Sequence, residues 1–564
     1  MNRRLWASAT ALVSTAALAV GLAAPAAAAP DPAARAPRQT AAEKTVAAMQ
    51  PGWNLGNTLD SVGADETAWG NPRVTADLFD AVEDAGFNSV RIPATFGQHQ
   101  GPAPEYAVDP VFLDRVEEVV DMALDEGLYV LLDVHHDSWQ WVNQMPARHD
   151  EVVAQYDALW EQLAERFRDH SRRLLLESVN EPQFAGVDDA QAYALLDELN
   201  VRFHEIVRAT GGRNADRVLV LPTLHTNAEQ GRLDALTATF EALDDPNLAA
   251  TVHYYGYWPF SVNVAGGYRY DATAQADTEG TFTRVHDSFV ARGIPVILGE
   301  YGLLGFDRHT GTIEQGEKLK FFEHLGHLAR TTGVTTMLWD NGQHLDRTTF
   351  EWQDPALFAQ IEESWKRRSG TASTDQVFVT PGAVTDQTVT LQLHDYRVKD
   401  VRLDGRKLKD REYRLVGDQL TLPAALLERV VGTGAYGTRG VLEVRFSKGL
   451  PWRIEVVAAD APVLADATGT VEAFAVPTDF RGDRLATMEA RYADGTNAGP
   501  HPWTSFKEFD VTFAPEDGHI VLRPAFFAEV TDGAPVSLTF HFWSGRTAEY
   551  TVTRTGTTVT GTVG

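Results

Sequence analysis

The sequence predicts an α/β fold: an eight-stranded (β/α)8 barrel followed by two all-β sandwich modules. Three observations predict it. Between residues 41 and 370, eight short runs rich in leucine or β-branched residues alternate with longer stretches of helical period. Polar residues gather at the C-terminal ends of those runs. Beyond about residue 370 the texture changes to short alternating strands.

The predicted barrel strands are "GWNLGN" (52–57), "SVRIP" (89–93), "YVLLDVHH" (129–136), "LLLESVNE" (174–181), "RVLVLPT" (217–223), "ATVHYY" (250–255), "PVILGEYG" (295–302) and "TTMLWDNG" (335–342). Segments such as "AQYDALWEQLAERFRDH" supply the helices between them. Eight such units in one domain of this length are the pattern of a TIM (β/α)8 barrel. A doubly wound open sheet is the rival, but no Gly-rich phosphate fingerprint follows the first strand.

The boundaries follow. Residues 1–29 pair Arg3 and Arg4 with an apolar stretch and a small-residue cleavage pattern, which reads as a secretory signal peptide. Residues 30–40 are a linker, 41–370 the barrel, 371–459 a first sandwich and 460–564 a second. The two sandwiches share an echo: "DQLTLPAALLERV" in one and "GHIVLRPAFFAEV" in the other.

Composition narrows the function. The net charge is −29, which opposes nucleic acid and anionic membranes as partners but not a neutral polymer. There are no cysteines, so disulfides, thiol catalysis and cysteine metal sites are excluded. A secreted, extracellular monomer is expected.

In a barrel of this type the strand ends surround one pocket. Asn54, Asn57, Arg91, His135, His136, Asn180, Glu181, His253, Tyr255, Glu300 and Trp339 all fall there. Glu181 ends the fourth run and Glu300 lies near the end of the seventh. Two carboxyls about 5–5.5 Å apart run a retaining glycosidase, one as a protonated acid and the other as an ionised nucleophile. Arg91 and Tyr255 are positioned to keep Glu300 ionised. Asn180 suits a sugar 2-hydroxyl, and Trp339 offers a flat face to a pyranose ring. Trp69, Trp139 and Trp258 lie in loops and suit outer subsites, and Trp503 and Trp543 suit sugar contact in the last module. A rival reading takes His135, His136 and Asp137 as metal ligands, with Glu181 and His253 converging on them. It leaves Trp339 and Asn180 unexplained, so no metal and no cofactor are expected.

"GWNLGNTLD", "WGNP", "VRIP", "VHHD", "VNEP", "HYY", "GEYG" and "WDNG", in that order, resemble glycoside hydrolase family 5, most closely its subfamily 4 of endo-β-1,4-glucanases. The resemblance implies Glu181 as acid/base and Glu300 as nucleophile. It implies that Arg91, His135, Asn180, His253, Tyr255 and Trp339 line the cleavage subsite. Tyr301 departs from the phenylalanine common in "GEYG". Residues 371–459 resemble an immunoglobulin-like spacer module. Residues 460–564, through "ATMEARYADGTNAGPHPWTSFKEFD" and "FHFWSG", resemble carbohydrate-binding module family 46. The three-part order is similar to that of bacterial glucanases acting on β-glucan and xyloglucan, so plant cell-wall polysaccharide is the expected partner. A β-mannanase on the same scaffold and a purely carbohydrate-binding protein are the alternatives.

Overall fold

The computed structural model describes residues 39–564. The expected signal peptide (1–29) and nearly all of the linker (30–40) lie outside the described residues. Helix α1 (Ala41–Ala48) opens on a capping box between Thr40 and Glu43. It buries Ala42 and Val46 among Leu131, Leu175, Val220, Ile297 and Met337, side chains that fill the barrel interior. The helix thereby closes the barrel at the end opposite the chemistry.

Eight parallel strands form a closed barrel in chain order: β1 (Gly52–Asn54), β2 (Ser89–Ala94), β3 (Tyr129–Val134), β4 (Leu174–Glu177), β5 (Leu219–Pro222), β6 (Leu248–Tyr254), β7 (Val296–Tyr301) and β8 (Thr335–Leu338). Alternation explains the leucine run of β4. Leu174 and Leu176 pack outward in the cluster shared with the surrounding helices, while Leu175 points into the barrel. Glu177 shares the inward face, one pleat higher, and is aligned with Asp133 of β3.

All eight expected strands are present, but most stop short of the motif residues. β4 ends at Glu177, so Glu181 sits four residues past it rather than at its tip. The segment stays tied sideways: Ser178 N donates to Val220 O (3.1 Å) and Asn180 N to Val134 O (2.9 Å). Glu181 then adopts a left-handed φ of 40°, which ends the pairing and turns the carboxylate over the pocket.

Each tail module is built from one five-stranded and one four-stranded sheet around its own apolar core. The sequence echo between them is structural. Strand Gln419–Leu422 leads through Pro423 into helix Ala424–Val431, and strand His519–Leu522 leads through Arg523 into helix Pro524–Ala528.

The last module docks on the barrel. Phe509 N donates to Asn263 O (3.1 Å), and Asn263 Nδ2 to Ala486 O (3.1 Å). Thr312 Oγ1 donates to Asp510 Oδ2 (2.8 Å), and Arg308 pairs with Glu508. Gly266, whose φ of 78° favours glycine, faces the Phe506 ring. Among the described residues no helix is long and apolar enough to cross a membrane.

Candidate active site

The site is built around Arg91, which has no solvent exposure. Its Nη1 donates to Glu300 Oε1 (2.7 Å) and to Asn54 Oδ1 (3.2 Å). Its Nε and Nη2 make a bidentate pair with Glu177 (3.0 and 3.1 Å), and Nη2 also reaches Asn180 Oδ1 (2.8 Å) and Asp133. One cation therefore holds three buried carboxylates and the amides of Asn54 and Asn180. This corrects the expectation that Arg91 contacts substrate. It lies beneath the reacting groups and acts as a positioning residue.

Glu300 is fixed from both sides. Tyr255 Oη donates to its Oε2 (2.5 Å), opposite the Arg91 contact. Burial pushes the Glu300 carboxyl up, but the charges of His253 and Arg91 outweigh it and hold the group below the usual glutamate range. Burial and the nearby carboxylates keep the Tyr255 hydroxyl protonated, so it remains a donor.

Glu181 differs in surroundings. Its side chain is 44% exposed against 5% for Glu300, so it opens onto the cleft. His253 Nδ1 lies 2.9 Å from Glu181 Oε1 and 3.5 Å from Glu300 Oε2. An oxygen of Glu181 and an oxygen of Glu300 approach within 4.8 Å of each other across that ring. Burial lowers His253, but the two carboxylates raise it more, and it stands above the usual histidine value. Burial raises Glu181, but the His253 hydrogen bond and charge bring it below its usual value. The sequence reading put a proton on Glu181. His253 Nδ1, one hydrogen bond from Glu181 Oε1, is the nearest group able to exchange a proton with it.

The remaining pocket residues fall around this pair. Asn180 accepts from Arg91 through Oδ1; its NH2 has no protein acceptor among the described residues and is available to a sugar hydroxyl. His135 Nδ1 donates toward Asp133 Oδ2 (2.9 Å). Its ring is parallel to Trp339 within 6°, with centroids 5.9 Å apart. Trp339 rests on Gly56, where a Cβ would come 2.8 Å from the indole. Asp340 anchors that turn by accepting from Trp53 Nε1, Gly342 N, His344 N and Leu345 N. Asn57 sits in the loop after β1 with φ 54°, its N–H on Asp60.

His136 is set away from the carboxylates. It packs between Trp69 (5.2 Å) and Trp139 (5.4 Å), whose exposures of 40% and 45% leave an aromatic wall open to ligand. Trp139 Nε1 donates to His136 Nδ1 (2.9 Å), which puts the ring hydrogen on Nε2, facing Asp60. Asp137 is taken up by Phe96 N, Gly97 N and Trp141 Nε1. Asp137 is thus not a third ligand beside His135 and His136, while Asp60, His135 and His136, and likewise Glu181, His253 and Glu300, each bring one ligand-capable atom within 4.8 Å of the others.

Trp258 and Trp503 meet across the module boundary with ring centroids 5.9 Å apart; they are 42% and 60% exposed. Trp543 requires a correction. It is half-buried rather than module core. Arg269 lies 4.7 Å over its ring and Tyr268 meets it edge-on at 5.3 Å, so it serves the contact between module and barrel.

Sequence reasoning missed Asp133 and Glu177. Burial pushes the Asp133 carboxyl up to about 7, against the pull of Arg91, and burial raises Glu177 as well. Each is a charge inside an unbroken apolar run, which is stable only if a partner waits inside the barrel. The lone arginine of "SVRIP" is that partner.

Comparisons with known proteins agree with this geometry. Residues 51–345 match the family model described as Cellulase (glycosyl hydrolase family 5). Residues 371–456 match Carbohydrate binding domain X2, and 460–562 a carbohydrate-binding domain of module family 46. Endoglucanase B of Paenibacillus lautus is 50% identical over 531 residues, covering 93% of this chain and 94% of that one. The full-length tri-modular endo-β-1,4-glucanase B of Bacillus halodurans is 49% identical, with a TM-score of 0.91 over 93% of this chain and 100% of that one. A xyloglucan-specific endo-β-1,4-glucanase from a metagenomic library, solved with cellotriose, is 32% identical with a TM-score of 0.52. It covers 57% of this chain and 98% of its own.

Proposed function

The chain belongs to glycosyl hydrolase family 5 and is an endo-β-1,4-glucanase, and from that premise we propose that it is secreted and cleaves plant cell-wall glucans with retention of configuration. One observation carries the mechanism: oxygens of Glu181 and Glu300 lie within 4.8 Å of each other in one cleft. That spacing suits direct attack on the anomeric carbon and is short of the roughly 6.5–9.5 Å that an intervening water needs.

Glu300, ionised and held by Arg91 and Tyr255, attacks the anomeric carbon. Sugar binding strips water from Glu181, which raises its proton affinity. Glu181, protonated in that complex and hydrogen-bonded to His253 Nδ1, gives its proton to the leaving oxygen, so no charged alkoxide departs. Glu181, now ionised, takes a proton from water, and the resulting hydroxide equivalent releases the sugar from Glu300. The Asn180 NH2 bonds the 2-hydroxyl as charge builds on the ring. Trp339 carries the sugar at the cleavage point, and Trp69 and Trp139 carry sugars beyond it.

The substrate reading is linear, mixed-linkage or xyloglucan polymer, taken by a monomer. The solved relative named for xyloglucan supports the branched polymer. So does the Trp258–Trp503 pair, which lengthens the apolar strip from the barrel onto the last module. NMR of the first products from a cello-oligosaccharide tests the chemistry. Retention gives the β-anomer first, which then mutarotates; an initial α-anomer overturns the reading.

A further inference from the structure

Lys507 is completely buried, and among the described residues it has no carboxylate at ion-pair distance. A buried ammonium without a counter-charge is costly, and a methionine there would avoid the cost. Burial lowers its pKa to about 8, with Glu529 raising and Arg491 lowering it, so it is charged near neutrality. Both of its hydrogen bonds go to one short loop. Nζ donates to Pro500 O (2.7 Å) and to Thr504 O (3.1 Å). Its own N–H is tied to Met488 O on a core strand (2.8 Å).

The loop between those carbonyls is "PHPWT", with Trp503 near its apex. It is otherwise strained: His501 holds a left-handed φ of 59°. Asn497 Nδ2 donates to Pro502 O (2.9 Å), Thr504 N to His501 O (3.0 Å), and His501 Nε2 lies 3.1 Å from Glu508, the partner of Arg308 on the barrel. The loop is thus clamped at its base while the indole remains exposed beside Trp258.

We propose that Lys507 is a positioning residue that fixes the 500–504 loop so that Trp503 is pre-set for polymer binding beside Trp258. The proposal rests on the reading of Trp503 as part of the lengthened cleft. Its role is in binding, so it acts on KM and not on kcat.

The test is steady-state kinetics of the full chain on xyloglucan for W503A, K507M, K507R, N497A and W503A/K507M. W503A raises KM about five- to tenfold with kcat within about twofold. K507M reproduces most of that rise, K507R restores part of it, and N497A, which frees Pro502 O and the Arg491 contact at 3.4 Å, gives a smaller rise. The double variant matches W503A alone, because a misplaced indole and a missing one are equivalent. If W503A leaves KM unchanged, the cleft reading itself fails. If W503A raises KM and K507M does not, or the double variant is worse than W503A, Lys507 is only a structural group and the inference is overturned.

Discussion

Replacing Glu300 by glutamine lowers kcat by at least about 10⁴-fold on every β-1,4-glucan the protein cleaves, equivalent to roughly 5.5 kcal/mol of transition-state stabilisation. The amide cannot attack the anomeric carbon. It keeps the shape of the side chain and one acceptor for Tyr255 or Arg91, so the barrel stays folded. Binding surfaces are untouched, because the exposed Trp69, Trp139 and Trp258 lie on turns and short helices beyond the strand ends, outside the buried network. Retention of the variant on an insoluble polymer therefore matches the parent while reducing-end release disappears. Residual turnover above about one per cent would remove Glu300 from the role of nucleophile.

Replacing Arg91 by methionine has the second large effect, and it falls on stability as well as rate. The substitution leaves Asp133, Glu177 and Glu300 buried without their shared cation. Breaking a buried ionic cluster from one side costs about 3–5 kcal/mol. For a domain of this size the thermal midpoint falls by on the order of 5–10 °C. The pH dependence has a definite sign. Glu300 is held below its ordinary value near 4.5, so its stabilisation is present above that value and fades as the pH falls through the folded value. Without Arg91 the buried carboxyls favour protonation, and the deficit against the parent is largest near neutral pH and closes in acid. The acid limb of kcat/KM, set by ionisation of Glu300, moves upward with it. Thermal melts and pH–rate profiles of the two proteins check both statements. A deficit that widened toward acid would contradict the account.

Much of the fold was legible because barrel strands carry a strong signal. Runs such as "LLLESV" and "PVILGE" cannot be surface segments, and their spacing leaves room for one helix each. The strand ends were less legible. In "LLLESVNE" the apolar pattern continues through Val179, but the strand stops at Glu177, and the sideways bonds of Ser178 and Asn180 run only as far as the left-handed turn at Glu181. The reacting carboxylates stood out as charges at run ends. Their support did not: Asp133 and Glu177 sit in mid-run, and only the register that aligns them shows that they meet over Arg91. The Glu181–His253 contact was hidden for a similar reason. The two residues are 72 positions apart, and their 2.9 Å approach is not encoded in sequence spacing. Trp543 was ambiguous from its alternating strand, and its partners Tyr268 and Arg269 belong to another domain.

The direct test of the central claim, that Glu300 forms a covalent bond to the sugar, is to trap that bond. A 2-deoxy-2-fluoro cello-oligosaccharide with a good leaving group slows release more than attack and leaves the sugar on the enzyme. Mass spectrometry of the digested, labelled protein should find one sugar on the peptide containing Glu300, and none on that peptide in E300Q. A label on any other carboxylate, or none while the natural oligosaccharide is cleaved with inversion, would show that the two carboxylates do not divide the work as described.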